Sequence, residues 1–124
     1  MTYDLPFPPS TNHAYATVRG RRVLSKEGRA YKWRVAFELM RQRAKPLGKA
    51  RLRVRIELHH PTRNCGYDIA NYEKLLIDGL QEAGLFGNDN QIDDLQIVRG
   101  WKRPPDGVAI VTIIDLPPEV GRGD

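Results

Sequence analysis

The stretch from Arg51 to Leu58 limits what this chain can fold into more than any other segment. Leu52, Val54, Ile56 and Leu58 alternate strictly with Arg51, Arg53, Arg55 and Glu57. Successive side chains of a strand point to opposite faces, so this pattern makes a strand with one buried and one wet face. The buried face needs a cover. Two segments with helical spacing can supply it.

The first helical segment runs from Ser25, whose hydroxyl suits an N-cap, to about Lys45. Ala30, Trp33, Phe37, Met40 and Ala44 recur at three- and four-residue spacing and are read as the core stripe, with Trp33 inside it. Arg34, Glu38, Arg41 and Lys45 form a charged stripe beside them. A second apolar row, Tyr31, Val35 and Leu39, either widens the core contact or faces a partner subunit, and the core reading is preferred. Pro46 and Gly48 end the helix. The second helix is expected from about Ile69 to Ala83, with Ile69, Tyr72, Leu76, Leu80 and Ala83 as its stripe. Gly84 is placed to cap it, with Leu85 folding back onto the last turn.

Tyr3 to Phe7 reads as a short edge strand closed by Pro6, Pro8 and Pro9. Ser10-Thr11-Asn12 reads as a turn, and Arg19-Gly20-Arg21-Arg22 as a basic loop or hairpin. His59 to Tyr67 is a loop. Leu95 to Lys102 and Val108 to Ile114 are strands, joined through Pro104-Pro105-Asp106-Gly107 and expected to form a hairpin. Trp101 shares a face with Leu95 and Ile97, which predicts a core position. The order is β-α-β-α-β-β: an α+β domain with helices packed on one small mixed sheet. One domain is expected over residues 1–116, with a Pro- and Gly-rich tail over 117–124 that reads as disordered.

Among the 124 residues, 20 are Lys or Arg and 15 are Asp or Glu, a formal charge of +5. A basic surplus suits a polyanion such as nucleic acid, without requiring one. No apolar run approaches the roughly 18 residues of a membrane span, and the first residues lack a signal-peptide pattern. The single cysteine, Cys65, cannot form an intramolecular disulfide. A cytoplasmic protein with no membrane partner is expected.

Two polar clusters could carry chemistry. One is Asp68-Ile69-Ala70-Asn71-Tyr72-Glu73-Lys74, at the start of the second helix. The other is Asn88-Asp89-Asn90-Gln91-Ile92-Asp93-Asp94, entering the following strand. Phosphodiester cleavage needs a nucleophilic water and charge neutralisation at phosphate, which carboxylates holding hydrated Mg²⁺ can supply. Taken singly, Asp68 also suits an N-cap and Asp89 a turn.

Pro8-Pro9-Ser10-Thr11-Asn12, the register of Asp68, Asn71 and Lys74, the run Leu75-Leu76-Ile77-Asp78-Gly79-Leu80 and Asn88-Asp89-Asn90-Gln91-Ile92 occur in order. Together, over roughly residues 3 to 114, they resemble the RusA family of Holliday junction resolvases. The resemblance implies a homodimer that binds four-way or branched DNA and nicks two strands symmetrically. It implies Mg²⁺, with Mn²⁺ able to substitute, Asp68 and Asp89 as metal ligands, Lys74 at the phosphate and Asn71 in support. Arg19, Arg21, Arg22, Lys26, Arg51, Arg53, Arg55, Asn12 and Asn71 are the expected DNA contacts. The arginine face of 51, 53 and 55 reads equally as an ordinary solvated sheet face.

The sequence departs from the family pattern at Ala70, where a second aspartate is expected, and at Asn88, the first residue of the later pair. Alanine cannot bind metal. An engineered inactive form, an inert junction-binding relative and a relocated ligand are the three explanations, and the last is preferred. Glu73 lies one helical turn on and could bring its carboxylate back toward position 70. Glu73 therefore joins Asp68 and Asp89 as a candidate metal ligand and catalytic residue. A basic adaptor with no DNA role is a more distant reading.

Other groups are weaker candidates. His59 and His60 point to opposite faces of an extended strand and cannot readily share a metal. Cys65 has no evident base partner. Tyr15 and Tyr67 are the loop aromatics best placed to stack on exposed bases.

Overall fold

The alternating stretch becomes strand β4 of an eleven-element fold, and its four apolar side chains are fully buried. In the computed structural model, which describes residues 1–117, the chain runs β1 (Thr2–Leu5), α1 (Thr11–Ala14), β2 (Tyr15–Val18), β3 (Arg21–Leu24) and α2 (Lys26–Arg41). It continues through β4 (Arg51–His59), a 3-10 turn (Ile69–Asn71), α3 (Glu73–Glu82), a second 3-10 turn (Asp89–Gln91), β5 (Ile92–Arg99) and β6 (Val108–Leu116). The expected tail lies, apart from Pro117, outside the described residues.

The main sheet is mixed, in the order β1-β6-β4-β5. β4 pairs parallel with β5 and antiparallel with β6, so Ile56 lies opposite both Ile97 and Val111. β1 closes the far edge, with Tyr3 opposite Val111. Helices α2 and α3 cover one face. Their buried Tyr31, Val35, Leu39, Leu75, Leu76 and Leu80 join the inward side chains of β4 and β6 in a single core. The architecture is α+β, as expected.

The expected hairpin of the last two strands does not form. β6 inserts between β1 and β4, while β5 lies beyond β4 on the opposite edge. Burial explains the choice: β6 carries Ala109, Val111 and Ile113 into the core, whereas no residue of β5 is buried. Both strands with buried inward rows, β6 and β4, are paired on both sides. The parallel β4–β5 pair needs a long crossover, and α3 provides it.

The first helix is rotated relative to its expected stripe. Gly28, Tyr31, Val35 and Leu39 form the buried row. Trp33, Phe37 and Met40 stand outward at 79, 56 and 73% exposure. Gly28 in the inner row lets α2 approach its neighbours closely. A Cβ on Gly28 would lie 2.5 Å from the Ala14 carbonyl oxygen. The Tyr31 hydroxyl donates to the Pro6 carbonyl at 2.7 Å, and Gln42 Nε2 donates to the Asp4 carbonyl at 2.8 Å. Both contacts tie the inner side of α2 to the start of the chain.

Three further expectations are corrected. Residues 69–71 form a 3-10 turn and α3 begins only at Glu73, because Tyr72 breaks the regular helix with φ −119°. Its buried row is Leu75, Leu76, Ile77 and Leu80, while Ala83 is exposed. Trp101 is 73% exposed, since β5 ends at Arg99 and Trp101 no longer shares a strand face. Tyr67 is buried within an aromatic group with His60 and Tyr72, so it is not free to stack on bases.

Several local readings hold. Ser25 caps α2, its hydroxyl oxygen accepting from Gly28 N at 3.1 Å. Gly84 takes φ +88°, where glycine is favoured, and the Leu85 amide donates back to the Leu80 carbonyl at 3.1 Å. The basic segment is a hairpin, β2–β3, turning through Arg19 and Gly20 at φ 53° and 75°. Positive φ at both positions gives a turn whose twist matches paired strands.

Candidate active site: a cleft between α3 and β5

The parallel pairing of β4 with β5 brings the start of α3 beside the start of β5. Between them lies a cleft of about 340 Å³, lined by Glu73, Lys74, Ile77, Asp78, Asp89, Ile92 and Leu95. Both polar clusters of the sequence contribute to it. Glu73 is the first residue of α3, and Asp89 the first residue of the turn that leads into β5.

The Asp89 turn is held from beneath by a buried side chain. Gln91 Oε1 accepts from Gly87 N at 2.9 Å and from Asn88 N at 2.8 Å. Its Nε2 donates to the Gly48 and Ala50 carbonyls at 2.9 and 2.8 Å. Two donor hydrogens and both acceptor lone pairs of the amide are thus used. Asn88 completes a capping box with Gln91. This explains physically why an amide follows the aspartate at this spacing: it fixes the loop while Asp89 stays exposed at the cleft.

On α3, residues 74 and 78 share a face at four-residue spacing. Lys74 Nζ lies 3.8 Å from Asp78 Oδ2, which also accepts from the Tyr15 hydroxyl at 2.9 Å. Arg22 lies over the Tyr15 ring at 4.9 Å and Lys74 approaches it at 5.8 Å. Tyr15 thereby fastens the basic β2–β3 hairpin to the cleft. Burial, then the hydrogen bond to Asp78, pushes the Tyr15 hydroxyl up to about 12, so it stays a donor at neutral pH. Burial pushes the Glu73 carboxyl above its ordinary value, Lys74 partly opposes that shift, and Asp78 adds to it.

Asp68 stands apart from the cleft lining. It is exposed and caps the first 3-10 turn, Oδ1 accepting from Ala70 N at 3.1 Å. Ala70 is exposed in that turn, and no continuous helix joins it to Glu73. Glu73 reaches the cleft because α3 begins there, and leaning back along a helix is not the reason. Thr11 Oγ1 donates to the Asn71 carbonyl at 2.8 Å, which sets Asn12 and the Pro8–Asn12 motif next to the Asp68–Asn71 turn.

The expected DNA contacts divide into two groups. Arg19, Arg21, Arg22 and Lys26 are exposed on or beside the hairpin, and Arg22 is the one drawn over Tyr15. Arg51, Arg53 and Arg55 are exposed but each meets an acid. Arg51 bridges Asp93, Arg53 meets Asp94 at 2.9 Å, and Arg55 meets Glu57 at 3.3 Å. That sheet face carries compensated charge, which weakens its pull on phosphate.

Asp78 was not singled out from sequence, although its four-residue spacing from Lys74 was visible. Gln91 was noted only as part of a motif. The two histidines diverge as expected: His59 Nδ1 faces the Trp101 carbonyl at 2.6 Å, and His60 Nδ1 accepts from Thr62 N at 3.0 Å. Cys65 is exposed. Among the described residues, no three His, Cys, Asp or Glu side chains converge to close a metal site. The cleft instead offers separated carboxylates beside a lysine. Such a donor set fits a hydrated hard cation completed by water and phosphate, and does not fit a zinc cage.

Fold and cleft together define a basic α+β domain with acidic residues and a lysine lining one cleft. Residues 6–113 match the family model "Endodeoxyribonuclease RusA". The chain belongs to the RusA family. It is 38% identical to the crossover junction endodeoxyribonuclease RusA of Escherichia coli K12 over 96 residues, covering 77% of this chain and 78% of that one. Identity and coverage are the same for the protein of that name from Enterobacteria phage 82. The relative from Shigella sonnei Ss046 is 36% identical over the same shares.

Proposed function

We propose that the chain is a structure-selective endodeoxyribonuclease that resolves four-way DNA junctions by paired nicking. Its relatives are named crossover junction endodeoxyribonucleases. The observation that carries the reading to this chain's own residues is the joining of Glu73, Lys74 and Asp89 in one cleft, next to an anchored basic hairpin.

Glu73 and Asp89, with Asp68 at the neighbouring turn, are the residues to hold Mg²⁺, with Mn²⁺ able to substitute. Bound there, the cation would supply an activated water and neutralise charge on the phosphate. Lys74 places its ammonium beside the phosphate to be cut, steadied by Asp78. Asn71 and Asn12 support the turn on the DNA side. Arg19, Arg21, Arg22 and Lys26 contact the backbone of a junction arm, giving affinity without sequence readout. Two copies acting together account for symmetric nicks. Among the described residues no helix is long and apolar enough to cross a membrane. A cytoplasmic place of action, where DNA is found, completes the reading.

The test is a labelled four-way junction incubated with Mg²⁺, beside linear duplex and an EDTA control. Paired, symmetric, metal-dependent cuts in the junction alone are expected. Ala70 favours a second reading, an inert junction-binding module. Tight junction binding without cuts in Mg²⁺ or Mn²⁺ would establish that reading and overturn the nuclease.

A further inference from the structure

The loop that follows β5 holds an aromatic side chain in the open on an anchored backbone. Gly100 N donates to the Leu58 carbonyl at 2.8 Å, Lys102 N to Asn64 Oδ1 at 2.7 Å and Arg103 N to the His60 carbonyl at 2.9 Å. The Trp101 carbonyl meets Nδ1 of the buried His59 at 2.6 Å, and His59 Nε2 meets Glu57 Oε2 at 2.6 Å. Glycine precedes the tryptophan because a Cβ at position 100 would lie 2.4 Å from His59 Cε1. Each residue from 100 to 103 is thus tied by its backbone to the end of β4 or to the loop after it. The Trp101 indole stands exposed above this base. With the backbone fixed, only its two side-chain torsions remain to be ordered, so it can stack at small entropic cost. The charge around it is positive. Arg63, Lys102 and Arg103 are exposed, and among the described residues none of them pairs with a carboxylate. The stretch from Arg99 to Asp106 holds three cations and one acid.

We propose that Trp101 is a stacking platform for an unpaired base of branched DNA, with Arg63, Lys102 and Arg103 holding the flanking phosphates. The inference deepens the junction reading of the proposed function and rests on it. Every base has a π-face, so an indole stacks without regard to sequence while cations beside it follow the backbone. In linear duplex the bases cover one another's faces. Where strands part at a branch, faces come free. Trp101 therefore adds affinity for the branch itself, whereas phosphate contacts from the β2–β3 hairpin act on any duplex. The platform adjoins the candidate site. Arg99 Nη2 donates to the Tyr67 carbonyl at 2.6 Å, and Tyr67 directly precedes Asp68. Trp101 lies two residues beyond Arg99, at most about 7 Å of chain. The stacking role expected of Tyr67 passes to Trp101, because the Tyr67 ring is buried with the Arg99 guanidinium 4.8 Å over it. Trp33, the other exposed indole, lacks this setting. Lys32 beside it bridges Glu82 at 2.7 Å, and the hollows next to it are bordered by Glu82 and Glu38.

The test is binding of the full chain to a labelled four-way junction and to linear duplex, by fluorescence anisotropy in metal-free buffer. Trp101→Ala should weaken junction binding about tenfold, as loss of one base–aromatic stack does, and leave duplex binding unchanged. Trp101→Phe keeps a ring and should recover most of that loss. Arg103→Ala should weaken junction and duplex binding alike and lower the salt slope by about 1. The chain has two tryptophans, so Trp33→Phe leaves Trp101 as its only indole. Junction should quench the fluorescence of that variant more than duplex does. This readout keeps the native residue at 101 and stands even if Trp101→Ala misfolds. A folded Trp101→Ala protein that binds the junction as tightly as wild type would overturn the platform and leave the nuclease reading standing. Equal losses on junction and duplex, or equal quenching by both, would overturn the stacking role in the same way. A wild type that binds no junction would remove the proposed function and the platform with it.

Discussion

On one side of α2, Tyr31, Val35 and Leu39 are packed against α3 and the sheet, at 5% exposure or less. On the other, Trp33, Phe37 and Met40 face solvent. At about 100° per residue the two rows lie on opposite sides of one helix. By hydrophobicity alone the outer row is the heavier, yet the inner row was chosen for the core. Fit decides this. The inner row offers a glycine, a β-branched residue and a tyrosine whose hydroxyl has a partner, so α2 can sit close with no polar group stranded.

The largest contrast is expected from truncation. Leu39→Ala should cost about 2–4 kcal/mol of unfolding free energy, because it opens a cavity in a packed core. Met40→Ala, its immediate neighbour, should shift stability by less than about 0.5 kcal/mol when measured on dilute protein. Urea denaturation of both variants checks the pair, and a larger loss for Met40→Ala would reverse the assignment of faces. A smaller effect separates packing from hydrogen bonding on the inner face. Tyr31→Phe removes the bond to Pro6 and should cost about 1 kcal/mol.

The smallest effect concerns the charged margin between the faces. The hydrogen bond from Arg41, aided by one from Gln42, holds the Glu38 carboxyl below its ordinary 4.5. A carboxylate lowered on folding adds stability above its unfolded pKa and loses it as pH falls through the folded value. Wild type should therefore lose slightly more stability than Glu38→Gln on acidification from 4.5 downward. Parallel thermal melts across that interval would show it. Identical acid profiles would mean that the bridge is too solvated to matter.

Much of the fold was legible wherever a pattern had only one physical solution. The alternation in β4 permits one buried face, Ser25 can cap one helix start, and Gly84 alone suits the turn after α3. Two kinds of feature were not legible. α2 contains two apolar rows, and periodicity does not reveal which of them meets the sheet. The partner of β5 depended on comparing the burial of three strands, which spacing between the last two could not convey. In the cleft, Glu73, Lys74 and Asp89 could be read as candidates because they are polar groups near the ends of elements. Asp78 was hidden inside an apolar run. Its partner Tyr15 is 63 residues away in sequence, a contact that no local pattern encodes. Ala70 was rightly noticed, but the break at Tyr72 shows that Glu73 stands in the cleft on its own terms.

The proposed cutting site is the cleft between α3 and β5. Asp89→Asn tests it most directly, because the exposed side chain can change without disturbing the loop that Gln91 holds. Junction cleavage in Mg²⁺ should fall at least roughly 100-fold, a loss of about 2.7 kcal/mol in transition-state stabilisation. Junction affinity, measured in the same buffer without metal, should remain close to that of wild type. Cleavage at the wild-type rate by Asp89→Asn would contradict the assignment and place the chemistry elsewhere on the molecule.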